Sequence, residues 1–259
     1  MGIALVTGGS SGIGAEFARQ LAGRGHDIVL VARDQKRLDA MAAELRATGR
    51  EVEVIVADLA SRADTNRVAA RLADPAKPVD ILVNNAGFRA TSRLTSLDID
   101  EHDRAFAVMQ SAPLILSNAI APHLRAQNAG AIINVASING QLSLSNYSAI
   151  KAWVTVFTES LANEFHGTGV TVTALLPGWV RTEFHQRAGS GRGGIPNFLW
   201  ADPEPLVRET LRDVDRGRVI SIPSLRYKLL SGLVRHLPRS TVRAVSRRIS
   251  LSRSKAASE

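Results

Sequence analysis

The stretch Thr7-Gly8-Gly9-Ser10-Ser11-Gly12-Ile13-Gly14 decides the fold that the sequence predicts. A short apolar run, Ile3–Val6, precedes it, and Ile13, Phe17 and Leu21 begin the apolar face of a helix. Glycines at such a turn let the backbone bend tightly and approach a pyrophosphate, which binds the free amides at the helix N-terminus. The stretch therefore predicts a dinucleotide site, with a plain strand-to-helix connection as the alternative.

Short apolar, β-branched runs alternate with amphipathic stretches along the chain. The runs are Ile3–Val6, Ile28–Ala32, Val52–Val56, Ile81–Val83, Ile132–Val135, Val170–Leu176 and Val219–Ile222. Runs of this length between helical patterns indicate buried parallel strands joined by crossover helices. We expect an α/β fold of three layers, a Rossmann-type doubly wound parallel sheet, in one domain over residues 1–225 with a C-terminal extension over 226–259.

The composition excludes several classes of protein. With 45% hydrophobic and 22% charged residues, the chain can bury a sizeable core. It contains no cysteine, which excludes disulfides and thiolate catalysis. We see no secretory signal and no run of the roughly 18 apolar residues that a spanning helix needs, so a cytoplasmic protein is expected. No metal site is expected either.

The net charge of +8 is concentrated near the C-terminus. From Arg216 onward there are eleven Lys and Arg but only one acid, which leaves a nearly neutral body of net charge −2. This distribution does not favour nucleic-acid binding. Between Tyr227 and Ile249 apolar residues recur at helical spacing, interrupted at Pro238, which predicts two short amphipathic helices. Their apolar residues either contact an anionic membrane together with the arginines or pack on the domain itself.

Five motifs in chain order resemble those of the classical short-chain dehydrogenase/reductase (SDR) family. They are the first glycine turn, Asn84-Asn85-Ala86-Gly87, Ser137, Tyr147-x-x-x-Lys151 and Pro177-Gly178. The resemblance spans Ile3 to about Phe184. It implies an oxidoreductase that moves hydride between a nicotinamide cofactor and a carbonyl or alcohol, and a homo-oligomer, dimer or tetramer.

The resemblance assigns catalysis to Ser137, Tyr147 and Lys151. Tyr147 and Lys151 lie four residues apart and share one face of a helix. A phenol with a pKa of about 10 exchanges protons poorly near neutrality, and we expect the Lys151 cation to lower that pKa. By resemblance, Lys151 also holds the nicotinamide ribose, Ser137 bonds the substrate oxygen and Tyr147 is the general acid or base. Ser143 and Ser145 are weaker serine candidates.

The same resemblance implies a set of cofactor-binding residues. They are Gly8, Ser10, Ser11, Gly12, Ile13, Arg33, Asp58, Leu59, Asn85, Ala86, Gly87, Tyr147, Lys151, Pro177, Gly178, Val180 and Thr182. Asp58 would accept from the adenine amino group, with a helix cap or turn as the alternative role. Val180 and Thr182 would meet the carboxamide, although Pro177-Gly178 also fits a plain turn.

The end of the second predicted strand favours NADP(H). Ala32 stands where NAD-preferring members of the family carry Asp, an acid that binds the ribose 2′-hydroxyl and repels a 2′-phosphate. Arg33 can pair with that phosphate through its planar guanidinium. The alternative is that Arg33 is an ordinary solvated charge, and Asp34 beside it weakens the argument.

The segment Gln186–Trp200 reads as a lid over the site. Four glycines precede its large apolar residues, Ile195, Phe198, Leu199 and Trp200. Because these residues are apolar, we expect an apolar ketone, aldehyde or alcohol as the substrate. A surface loop without a role in catalysis is the alternative.

One position departs from the family pattern. The family usually carries an Asn that supports a water relay behind the lysine, and Met109 is predicted to occupy that position here. A thioether cannot replace an amide in a proton relay. Gln110 and Asn118 are possible substitutes in sequence, and neither is predicted to occupy the same spot. Met109 therefore motivates a rival function, a nucleotide-binding regulatory or scaffold protein whose catalysis has weakened.

Overall fold

The computed structural model describes residues 2–182 and 197–255. Seven parallel strands form the main sheet, in the order β3-β2-β1-β4-β5-β6-β9. They are β1 (Ile3–Thr7), β2 (Asp27–Ala32), β3 (Val52–Val56), β4 (Ile81–Asn84), β5 (Gly130–Val135), β6 (Val170–Leu175) and β9 (Ile220–Ser221). A separate two-stranded sheet pairs β7 (Trp179–Val180) with β8 (Trp200–Ala201). Each of the seven predicted runs forms a strand of the main sheet, which confirms the Rossmann-type fold.

Helices cover both faces of this sheet. They are α1 (Gly12–Gly23), α2 (Gln35–Arg46), α3 (Arg62–Leu72), α4 (Asp100–Phe106), α5 (Ala112–Gln127), α6 (Asn146–Glu164), α7 (Pro203–Asp215), α8 (Leu225–His236) and α9 (Arg239–Lys255). The core under α1, α2 and α7 lies on one face, and the core under α3, α5 and α6 lies on the other. Gly25 and Gly49 follow α1 and α2 and have φ of 95° and 80°, the left-handed conformation in which a helix commonly ends.

The strand order fixes where a ligand can bind. Successive strands β1, β2 and β3 extend toward one edge, whereas β4, β5 and β6 extend toward the other. In such a sheet the connections diverge between β1 and β4 and leave a crevice outside the carboxyl ends of these strands. The glycine turn follows β1 and the Asn84-Asn85-Ala86-Gly87 segment includes the end of β4, so both motifs border this crevice.

A buried network of amides and hydroxyls joins the centre of the sheet to its helices. Asn84 Nδ2 donates to Asn134 Oδ1 at 2.9 Å and to Ser117 Oγ at 3.2 Å. Asn134 Nδ2 in turn donates to Thr158 Oγ1 at 3.0 Å. Asn84 thus aligns β4 with β5, α5 and α6, and its role within the motif is structural.

The continuous helical stretch Asp100–Gln127 is long and apolar enough to cross a membrane by length and composition alone, with a mean hydropathy of 1.3 in its most apolar window. Its Leu116, Ile120 and Leu124 are fully buried in the core beside the sheet. A core helix of a globular protein has the same composition, and the packing of these three side chains identifies it as one.

Two helices separated at Pro238 form the C-terminal region, as the sequence predicts, and they pack on the domain. Tyr227 of α8 is 1% exposed and lies directly against Gly178, where any β-carbon would overlap its ring. Its hydroxyl accepts from Trp179 N at 3.2 Å and donates to the Leu199 carbonyl. The α8 helix therefore shares its core with the segment after β6.

Tyr227 is expected to contribute strongly to stability. Replacing it with Ala removes a fully buried ring and should lower the free energy of unfolding by about 3 to 5 kcal/mol, whereas Tyr227→Phe should cost about 1 to 2 kcal/mol for the lost hydrogen bonds. Urea unfolding of both variants measures these values. Equal stability of Tyr227→Ala and the parent chain would show that α8 is not part of the cooperative fold.

Candidate active site

The glycine turn has the geometry of a phosphate cradle. Gly8 and Gly12 have φ of 65° and 57°, which disfavour residues with a side chain. A β-carbon on Gly14 would overlap the Gly8 carbonyl oxygen, so only glycine allows α1 to approach β1 this closely. Ser11 caps α1 with an extended backbone, and its side chain makes no capping hydrogen bond. The first amides of α1 are therefore not capped by that hydroxyl and fit a pyrophosphate.

The segment after β4 is tied to the turn after β1. Thr7 Oγ1 accepts from Asn85 N at 2.9 Å and from Ala86 N at 3.0 Å, and it donates to Val83 O at 3.2 Å. Asn85 Nδ2 also donates to Thr7 O at 2.9 Å. The Thr7 hydroxyl thus fixes the turn after β1 relative to the segment after β4, and these are the two walls of the crevice. Ala86 and Gly87 belong to the second wall.

The segment from Pro177 to Thr182 reaches back to the same turn. A β-carbon placed on Gly12 would lie 3.2 Å from Thr182 Cβ, so the two residues are neighbours. Val180 is buried, and Trp179 and Val180 pair with β8. The structure thus brings this segment against the glycine turn from a distance of about 170 residues in sequence.

At the end of β2, Arg33 is exposed, and the neighbouring carboxylate of Asp34 is engaged in capping a helix. Asp34 is the N-cap of α2, and its Oδ1 accepts from Arg37 N at 3.1 Å. Its Oδ2 lies 3.4 Å from Arg37 Nε. Asp34 therefore caps α2, and it does not replace the ribose-binding acid that is absent at position 32.

Asp58 and Leu59 follow β3, where the structure gives Asp58 two partners. Its Oδ2 accepts from Arg104 Nη2 at 2.7 Å, and its Oδ1 accepts from Ala60 N at 3.1 Å. Burial acts to raise the pKa of this carboxyl, but the hydrogen bonds from Arg104 and Ala60 and the charges of Arg104 and Arg33 together hold it below its ordinary value. Asp58 is thus a charged hydrogen-bond acceptor. It also forms a turn, which is the alternative to adenine binding named for it above.

The three predicted catalytic side chains meet beyond the end of β5. Ser137 is buried, its Oγ accepts from Asn139 N at 3.1 Å, and it lies within hydrogen-bonding reach of the Tyr147 hydroxyl. Lys151 Nζ lies 5.6 Å from the centre of the Tyr147 ring. The sequence spacing of four on α6 therefore does place the phenol and the ammonium side by side.

The ionisation of this pair differs from the expectation. Burial raises the pKa of Tyr147 to about 12, against smaller lowering effects of the Ser137 hydrogen bond and the Arg89 charge. Burial also lowers the pKa of Lys151 to about 8. The expectation of a lowered Tyr147 pKa is wrong for the chain by itself, because desolvation of the phenol outweighs the Ser137 hydrogen bond and the Arg89 charge.

Lys151 is held by the sheet. It is 5% exposed, and its Nζ donates to the Val135 carbonyl oxygen at 2.7 Å. Met109, in a π-helical turn over Ala107–Ser111 between α4 and α5, is buried nearby. A β-carbon on Gly87 would lie 3.2 Å from Met109 Sδ and 3.8 Å from Lys151 Nζ. The thioether and the lysine ammonium therefore both border Gly87.

Sequence reasoning missed the residues that support the start of α6. Asn146, next to Tyr147, donates from Nδ2 to His102 Nδ1 at 3.0 Å, and His102 Nε2 lies 3.2 Å from Arg93 O. These partners fix the His102 tautomer with its proton on Nε2. No motif marks His102, because it acts across 44 residues of sequence. Arg89 was also missed, although it directly follows the Asn84-Asn85-Ala86-Gly87-Phe88 stretch.

Most of the predicted lid lies outside the described residues. Of its apolar residues, Phe198 is 64% exposed, whereas Trp200 is 6% exposed because it pairs with Trp179 in the two-stranded sheet. Ile195 falls in the part that is not described. Trp200 is therefore an anchor of the segment rather than an exposed apolar tip.

Comparison with known proteins places this geometry in a family. The short chain dehydrogenase family pattern matches residues 2–193. Granaticin polyketide synthase putative ketoacyl reductase 1 of Streptomyces violaceoruber is 38% identical over 224 residues, covering 84% of this chain and 81% of that protein.

Two solved structures are also similar. A short-chain dehydrogenase from Sphingobium yanoikuyae in complex with NADPH has 36% identity and a TM-score of 0.82, over 92% of this chain and 96% of that one. The bulky-bulky ketone specific alcohol dehydrogenase from Comamonas testosteroni has 31% identity and a TM-score of 0.77, over 100% of this chain and 94% of that one. The parallel sheet, the glycine cradle and the family match agree, and this chain belongs to the short-chain dehydrogenase family of oxidoreductases.

Proposed function

We propose that the protein is an NADP(H)-dependent reductase of apolar ketones and aldehydes, which also oxidises the corresponding alcohols. The observation that carries this proposal is the meeting of Ser137, Tyr147 and Lys151 at the crevice that the glycine turn opens. A chain that only bound a nucleotide would have no need for a buried ammonium beside a phenol. Burying the Lys151 ammonium costs stability, which a catalytic role explains.

In the proposed reaction, the cofactor and three side chains have separate roles. NADPH, when bound, supplies a hydride to the carbonyl carbon. Ser137 holds the substrate oxygen by a hydrogen bond, and Tyr147 transfers its hydroxyl proton to that oxygen, which yields the alcohol. A Tyr147 pKa of about 12 keeps the phenol protonated at neutral pH, so the proton donor is ready for reduction. Lys151 lies behind the phenol and stabilises the phenolate left after transfer.

Two observations support NADP(H) over NAD(H). Ala32 offers no carboxylate to repel a 2′-phosphate, and Asp34 is engaged in capping α2. Arg33 stays exposed at the end of β2, where its charge also reaches Asp58. The similar Sphingobium yanoikuyae enzyme is in complex with NADPH, which agrees with this preference.

An apolar substrate is supported by the surface beside Tyr147. The segment before α4 exposes Leu94, Leu97 and Ile99 by 69%, 102% and 55%. The carbonyl of Arg93 in this segment bonds to His102, which bonds to the residue before Tyr147. Exposed apolar side chains on a segment that His102 connects to the start of α6 suit a bulky apolar carbonyl compound. The ketone-specific enzyme of Comamonas testosteroni is similar to this chain over its whole length.

The rival function, a nucleotide-binding regulatory or scaffold protein, rests on Met109. The two functions separate in one experiment, in which NADPH oxidation is followed with a panel of bulky apolar ketones and aldehydes while NADPH binding is measured by fluorescence. We expect binding and turnover together. Binding without turnover across the panel would support the rival and reject the reductase.

Removing the Tyr147 proton should abolish catalysis. Tyr147→Phe keeps the ring and should lower kcat by about 10²- to 10⁴-fold, with NADPH affinity largely retained. The chain has two tyrosines, so Tyr227→Phe makes the same chemical change elsewhere and serves as the matched control. Near-normal turnover in Tyr147→Phe would refute the assignment.

Lys151→Met should remove activity and also alter how stability depends on pH. Because burial lowers the Lys151 pKa from 10.5 to about 8, the folded state binds fewer protons than the unfolded state between these values. The parent chain should therefore gain up to about 3 kcal/mol of stability relative to Lys151→Met as the pH rises from 7 to 10.5.

Urea unfolding at several pH values measures this gain, and turnover and NADPH binding should both be impaired at every pH. The exposed Lys36→Met variant is the control, and its stability difference from the parent should stay constant. A constant difference for Lys151→Met as well would mean that its ammonium is not desolvated.

Arg33→Ala should change the choice of cofactor. Loss of a charge-assisted bond to the 2′-phosphate should raise the KM for NADPH by about 10- to 100-fold. The KM for NADH should stay the same, which makes it the internal control. An equal change for both cofactors, or an NADH preference in the parent chain, would contradict the NADP(H) proposal.

A further inference from the structure

The outward face of α8 is apolar. Leu225, Leu229 and Leu233 recur every fourth residue and are 71%, 68% and 61% exposed. Tyr227 and Ser231, on the opposite side of the helix, are 1% and 5% exposed. Because each residue advances a helix by about 100°, the three leucines point away from the domain. A surface helix of a globular protein normally has the reverse arrangement, with its polar side outward.

Basic residues surround these leucines. Arg226 and Arg235 lie on α8 and are exposed. On α9, Val242 and Ser246 are buried, whereas Arg239, Arg243, Arg247 and Arg248 are exposed. Lys228 is also exposed but contacts Glu209 at 2.6 Å. The C-terminal region thus exposes an apolar strip on α8 and a row of cations on α9.

The charge of this surface indicates what covers it. No acid occurs from Arg216 to Ser258, and Glu259 is the only one in the last 44 residues, against eleven Lys and Arg. A second copy of the chain on the same face would place cations opposite cations, which is unfavourable. An exposed apolar strip bordered by arginines fits an interface that is apolar inside and negative at its surface.

We propose that α8 and α9 dock on an anionic membrane surface, with the three leucines inserted among the acyl chains and the arginines bound to lipid headgroups. The inward sides of the two helices are joined by hydrogen bonds to the loop between Ser137 and Tyr147. Gln141 Nε2 donates to Ser231 Oγ at 2.6 Å, and Ser143 N donates to Ser246 Oγ at 3.0 Å. The docked helices lie between the membrane and the loop that runs from Ser137 to Tyr147, which holds the active site about one helix diameter from lipid that can supply an apolar substrate.

Membrane docking is independent of catalysis, so it is tested by co-sedimentation of the full chain with vesicles. The two vesicle types are phosphatidylcholine alone and phosphatidylcholine with phosphatidylserine. The leucine variant is L225S/L229S/L233S, matched by L114S/V156S at exposed residues of α5 and α6. The arginine variant is R239Q/R243Q/R247Q, matched by R24Q/R62Q/R125Q at exposed arginines elsewhere. Thermal melts confirm that each variant folds.

We expect binding to the anionic vesicles alone, weakened by raising the salt concentration. The leucine and arginine variants should each bind at least about tenfold more weakly, and the two matched controls should bind like the parent. Failure of the parent chain to sediment with anionic vesicles overturns the proposal. Equal loss of binding in the matched controls also overturns it. If the parent chain does not bind vesicles and the leucine variant changes its oligomeric state, the leucines form an interface between copies of the chain instead.

Discussion

The site depends on a single costly arrangement, the burial of the Lys151 ammonium at the end of the sheet. Its bond to the Val135 carbonyl ties the ammonium to β5 and so fixes its position relative to Tyr147. Removing this charge from water lowers its pKa to about 8, which corresponds to about 3 kcal/mol of folding free energy. The surrounding fold has to offset that cost, and it does so with apolar packing and with buried hydrogen bonds such as those of Asn84 and Asn134.

The buried polar groups explain how the fold holds the lysine so accurately. Asn84 and Asn134 link the two central strands to α5 and α6, so α6 cannot slide along the sheet without breaking hydrogen bonds in a dry interior. Thr7 performs the corresponding task on the cofactor side of the crevice. Strand β5 and helix α6 thus carry the catalytic groups as one rigid unit, and the first turn is aligned to it through β4.

The strand runs, the glycine turn and the spacing of Tyr147 and Lys151 were readable from the sequence because each depends on neighbours a few residues away. Contacts across long sequence distances were not readable. His102 supports Asn146, Tyr227 supports Gly178, and Trp200 pairs with Trp179, none of which leaves a local pattern. The pKa of Tyr147 was predicted in the wrong direction for the same reason, since sequence spacing reveals the nearby charge but not the burial that outweighs it.

The C-terminal helices also show what a periodic sequence pattern cannot predict. An apolar repeat indicates that a helix has two different faces, but it does not reveal which face packs on the domain. In α8 the side that packs inward carries Tyr227 and Ser231, because a ring is needed to fill the space over Gly178 and a hydroxyl to meet Gln141. The leucines are thereby left outward. The two alternatives for this segment, packing on the fold and contact with an anionic surface, therefore do not exclude each other, because packing uses one face of the helix and leaves the other face exposed.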